Sequence, residues 1–122
     1  MQVRRPGSVA FELPKQTESV AGGVDITLGD EGDIAAPRVA WRRWEPGRKV
    51  EPHTHPCDYL EIILEGSQRV GKEWFYPGHV RVVSAGTGYG PLEAGPDGVT
   101  FVAVFASSNF DPIFHHRDRH GP

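Results

Sequence analysis

Cysteine is nearly absent from this chain. Cys57 is the single one in 122 residues, so no internal disulfide can form and a cytoplasmic protein is expected. There is no apolar run of about 18 residues, which argues against a membrane-spanning helix. The first residues, Met-Gln-Val-Arg-Arg-Pro-Gly, lack the apolar stretch of a signal peptide. No basic block appears and the formal net charge is -3, which argues against nucleic-acid binding. Sustained helical periodicity, internal repeats and low-complexity tracts are also missing.

Turn formers are abundant. Fifteen glycines and 11 prolines punctuate the chain into short segments, the pattern of an all-β sandwich or barrel. The length suits one domain with a real core. Residues 1–22 read as an N-terminal arm anchored by Phe11 and Leu13, residues 23–107 as the β-barrel, and residues 108–122 as a C-terminal tail. Within the barrel, strands are expected at Val24–Leu28, Arg38–Trp44, Lys49–His55, Asp58–Leu64, Ser67–Gly71, Trp74–Tyr76, His79–Ser84 and Val99–Phe105. Leu92–Asp97 reads as a loop, because Gly95-Pro96-Asp97-Gly98 is a strong turn signal.

The chemistry concentrates between Gly47 and Gly66. His53 and His55 lie two apart, and in a strand such residues face the same way, so one extended segment aims two imidazoles at one spot. Imidazole is a ligand for zinc, copper, iron and nickel. Glu61 is the nearest carboxylate; two histidines with a carboxylate make a facial metal site. Cys57 has no activating partner in the sequence and reads as an inert thiol. His79 reads as a turn residue. His115, His116 and His120 read as a solvated tail rather than a metal cluster. Trp41, Trp44, Trp74, Phe75 and Tyr76 either fill the barrel or line a pocket for an apolar ligand.

From Val39 to Phe105 the chain resembles the cupin superfamily. The first motif of that family is Gly, five residues, His-x-His, three or four residues, Glu, six residues, Gly; Gly47, His53, His55 and Gly66 fall in place. Pro77-Gly78 and Ala85-Gly86-Thr87-Gly88-Tyr89-Gly90-Pro91 echo the second motif. The resemblance implies a double-stranded β-helix, or jelly roll, with an internal pocket. Its register turns Tyr59, Glu61 and Ile63 inward and Leu60, Ile62 and Leu64 outward, which implies a buried outer face and a homodimer.

Two positions depart from the family pattern. Tyr59 stands where the glutamate ligand is usual, and Tyr89 where the last histidine is usual. The resemblance then implies a divalent metal (iron, zinc, manganese or nickel) on His53 and His55. Tyr59, Tyr89 and Glu61 would complete its shell or handle protons. Function divides between a metal-dependent enzyme of oxygenase, isomerase or cyclase type acting on a small organic molecule, and a metal-free module that binds or senses one.

Overall fold

The computed structural model describes residues 10–15 and 20–114. The tail histidines His115, His116 and His120, and much of the arm, lie outside the described residues. All regular structure that is described is extended: β1 (Val24–Thr27), β2 (Arg38–Trp44), β3 (Lys49–Val50), β4 (His53–Thr54), β5 (Tyr59–Val70), β6 (Glu73–Phe75), β7 (Val80–Val83), β8 (Leu92–Phe105) and β9 (Ile113–Phe114). No helix among the described residues is long and apolar enough to cross a membrane.

Seven strands form one antiparallel sheet in the order β1-β2-β8-β5-β6, with β3 also on β8 and β7 also on β5. The remaining two, β4 and β9, pair with each other. Strands alternate faces, so the register fixes what points inward. Arg38, Phe105, Tyr59 and Val83 form one inner rung, and Ala40, Ala103, Glu61 and Arg81 form the next. Tyr59, Glu61 and Ile63 are buried, whereas Leu60, Ile62 and Leu64 on the other face are half-buried. The inward register of β5 is the one the family resemblance implies.

Three expectations about strands need correction. Asp58–Leu64 and Ser67–Gly71 are not two strands but the single β5, kinked by register shifts at Ile63/Glu65 and Gly66/Gln68. The stretch Leu92–Asp97 is not a loop but the first part of the 14-residue β8. Gly66 (φ 76°) and Gly98 (φ 78°) face each other there, and a Cβ on Gly66 would collide with the Gly98 carbonyl. These glycines therefore build a bulge between two long strands, not a chain reversal. Finally, Lys49–His55 is interrupted between β3 and β4, where Pro52 has no N–H to give to a ladder.

Candidate functional site

A cavity of about 280 Å³ opens into the sheet's inner face. Its buried lining includes Ala40, His53, Glu61, Phe101, Ala103 and Phe105. Arg48, Pro112 and Phe114 also line it and remain exposed, so they mark the mouth. Trp44 and Phe101 meet edge to face at 5.1 Å along the wall.

Four polar rings gather at one end. Ring centroids lie 4.9 Å apart for His53 and His55, 5.1 Å for His53 and Tyr89, 4.8 Å for His55 and Tyr59, and 6.4 Å for Tyr59 and Tyr89. The short β4 carries His53, with His55 one residue past its end, and Tyr89 reaches them because it bridges to His53 through the backbone. Tyr59 comes from the start of β5 and stands outside the cavity lining, touching it through the Tyr89 hydroxyl.

Hydrogen bonds fix the tautomers. His53 Nδ1 lies 2.8 Å from the Glu51 carbonyl oxygen, and His55 Nδ1 lies 2.6 Å from that of Phe110. A carbonyl only accepts, so each Nδ1 carries the proton and each Nε2 keeps a lone pair. Burial pushes the His55 pKa below its ordinary value, which keeps that ring neutral. The Tyr89 hydroxyl then donates to His53 Nε2 at 3.2 Å and accepts from the Tyr59 hydroxyl. Burial pushes the Tyr59 phenol well above the usual tyrosine range and raises Tyr89 as well. The Tyr59 bond and the Arg81 guanidinium, 4.6 Å from the Tyr89 ring, pull Tyr89 partly back.

Glu61 takes a separate place. Its Oε2 lies 3.3 Å from Arg81 Nη2, and both side chains are close to fully buried. Burial raises the Glu61 pKa and the guanidinium opposes that rise. Among the described residues, no three of His, Cys, Asp and Glu are grouped so that they could hold a metal. The donor set at the cavity end is thus two imidazole nitrogens with phenol oxygens. It fits a divalent cation through the two Nε2 lone pairs, with each imidazole steadied by a carbonyl behind it, as ligating histidines commonly are.

Cys57 is buried, with Sγ 3.8 Å from the Ser107 carbonyl oxygen. His79 accepts the Tyr76 backbone N–H in a turn, at 2.9 Å. Trp44 lines the cavity, while Trp41 faces away from it and is fully buried. Trp74 is exposed on β6. Sequence reasoning missed Arg81, Arg48 and Phe110. A signal for Arg81 was present: Val80 and Val82 alternate outward around it. None existed for Phe110, whose backbone oxygen is what the site uses.

No family model matches the chain. It is 27% identical over 135 residues to dimethylsulfoniopropionate lyase DddW of Ruegeria pomeroyi, spanning 91% of this chain and 84% of that protein. A solved structure from Klebsiella pneumoniae, a conserved protein with a double-stranded β-helix domain, aligns with TM-score 0.65 at 18% identity over 88% of this chain and 92% of that one. Oxalate decarboxylase from Bacillus subtilis aligns with TM-score 0.60 at 19% identity over 73% of this chain, which spans 26% of that longer protein. An RmlC-like cupin from Ralstonia eutropha aligns with TM-score 0.56 at 12% identity, over 70% of this chain and 55% of that one.

Proposed function

Because this chain has the all-β cupin fold, a double-stranded β-helix, we propose that its cavity is the active site of a small metal-dependent enzyme. The reaction is removal of a proton beside the carboxylate of a small organic acid, as a lyase would perform. The observation that carries the reading is the convergence of His53, His55 and the Tyr59–Tyr89 pair at one end of an aromatic-walled cavity. The lyase from Ruegeria pomeroyi supports the reaction class. Its named substrate is a carboxylate, as is that of oxalate decarboxylase.

His53 and His55 hold the metal, an iron, zinc, manganese or nickel ion. Bound there it supplies a Lewis acid for a carboxylate oxygen. Tyr89 takes the proton. It accepts the Tyr59 hydroxyl and lies beside Arg81, so it is the phenol better placed to carry negative charge. With a cation on the two Nε2 lone pairs, the Tyr89 hydroxyl could no longer donate to His53 and would first release its own proton to solvent. The substrate C–H bond then breaks as the Tyr89 O–H bond re-forms. The freed pair makes a carbon–carbon double bond, and the leaving group departs with its own pair. With dimethylsulfoniopropionate the products would be dimethyl sulfide and acrylate.

The test begins with untagged protein and elemental analysis, repeated on H53A/H55A. Stoichiometric metal that disappears in the double variant is expected, as is dimethyl sulfide in the headspace above protein fed dimethylsulfoniopropionate. A protein that neither carries nor takes up metal would overturn the reading. It would favour the metal-free binding module, a reading supported by the hydroxyl that already occupies His53 Nε2 and by the lack, among the described residues, of a carboxylate grouped with the two imidazoles.

A further inference from the structure

We propose that the cavity floor holds a second polar subsite, centred on Glu61 Oε1, that selects carboxylates also carrying a hydroxyl group. This rests on the cavity being a carboxylate site, and names which carboxylates fit it best.

The space comes from one inner rung. Ala40 and Ala103 share it with Glu61 and Arg81, and beside these two small side chains Glu61 lines the cavity. Glu61 is 7% exposed, and its Oε1 has no hydrogen-bond partner. Oε2 faces Arg81 at 3.3 Å. Gln68, fully buried, lies near enough to act on the Glu61 charge, but its amide atoms do not reach hydrogen-bond geometry. A buried acceptor without a donor is costly, and a ligand that brings the donor removes the cost.

Charge decides which ligand that is. Within the cavity Arg42 is held by Asp25 at 3.0 Å, and Glu61 offsets Arg81. The imidazoles keep Nε2 lone pairs. Arg48, at the mouth, stacks over Trp44 at 5.4 Å and forms no ion pair among the described residues. One uncompensated positive charge at the mouth favours a monoanion. At the floor, an ammonium donor would set a second cation beside Arg81, so a neutral hydroxyl is the better partner for Oε1. The ligand class is therefore a short hydroxycarboxylate, with its carboxylate toward Arg48 or the imidazoles and its hydroxyl on Glu61.

Titration calorimetry on the metal-loaded protein tests this with β-hydroxypropanoate and lactate, each against propanoate. At least one hydroxy acid is expected to bind about 10- to 100-fold tighter than propanoate, the worth of one hydrogen bond to a buried charged acceptor. In E61L/R81M, which replaces the ion pair by apolar groups together, that ratio should fall to about one while propanoate still binds. E61Q, which keeps an acceptor carbonyl, should retain part of it and serves if the double variant does not fold. R48M should weaken all the acids by a similar factor and leave the ratio alone. Equal binding of the acids by the wild type, or a ratio that survives in E61L/R81M, overturns the subsite and leaves the carboxylate reading standing. No binding of any acid overturns both.

Discussion

Of the two phenols at the cavity end, Tyr89 alone both accepts a hydroxyl and donates to an imidazole. Tyr59 is one step back and outside the lining. The two are therefore not interchangeable. Y89F should lower kcat about 10²- to 10⁴-fold, the usual cost of losing a positioned acid or base. Y59F removes only the hydrogen bond that steadies Tyr89 and should cost about tenfold or less. Comparable losses in the two variants would mean that the proton goes elsewhere. The residue types at 53, 55, 59 and 89 were legible because spacing alone puts the two imidazoles on one face, and the family register supplies the two phenols. The partners that tune them were not. The alternation of Val80 and Val82 turns Arg81 inward but does not say that it meets Tyr89, and Glu51 and Phe110 contribute carbonyl oxygens, which every residue has.

At the scale of elements, the site depends on a segment that composition marks as a tail. Strand β9 pairs with β4 at His53–Phe114 and Thr54–Ile113. Phe110 packs on Phe105 at 4.4 Å between ring centroids and gives its carbonyl to His55. Removing residues 110–122 should therefore loosen both ligating rings. Metal affinity, measured by competition with a chelating dye, is expected to fall about 10- to 100-fold, the range for lost outer partners of a metal ligand. F110A keeps the carbonyl and loses only packing, so it should lower the melting temperature with a smaller effect on metal affinity. An unchanged affinity after truncation would show that β9 is only cover. The strands themselves were mostly readable. Arg38–Trp44 alternates cleanly and forms as expected. The error at Leu92–Asp97 has a physical source: Gly-Pro-Asp-Gly suits a reversal and a bulge equally well, and only the partner glycine, Gly66, decides between them.

For the whole molecule, the outer face of the sheet raises the question of a second copy. Two apolar ladders cross five strands there: Ile26, Val39, Val104, Leu60 and Val82, then Val24, Trp41, Val102, Ile62 and Val80. Their exposure is uneven. Trp41 is fully covered, whereas Val80 and Val82 are 53% and 77% exposed. Both valines sit on β7, which pairs only with β5 among the described residues. An open strand edge with outward valines is a template for pairing, and an identical edge related by a two-fold axis is the simplest match. Such pairing would form the homodimer that the sequence leads one to expect. Light scattering after size exclusion should give twice the chain mass at micromolar concentration. V80K/V82K should shift the protein toward monomer, since lysine on an edge blocks strand addition. Metal content should not change, because these side chains point away from the His53–His55 end. A wild type that stays monomeric at every concentration tested would leave the β7 valines as solvated surface and confine the function to a single chain.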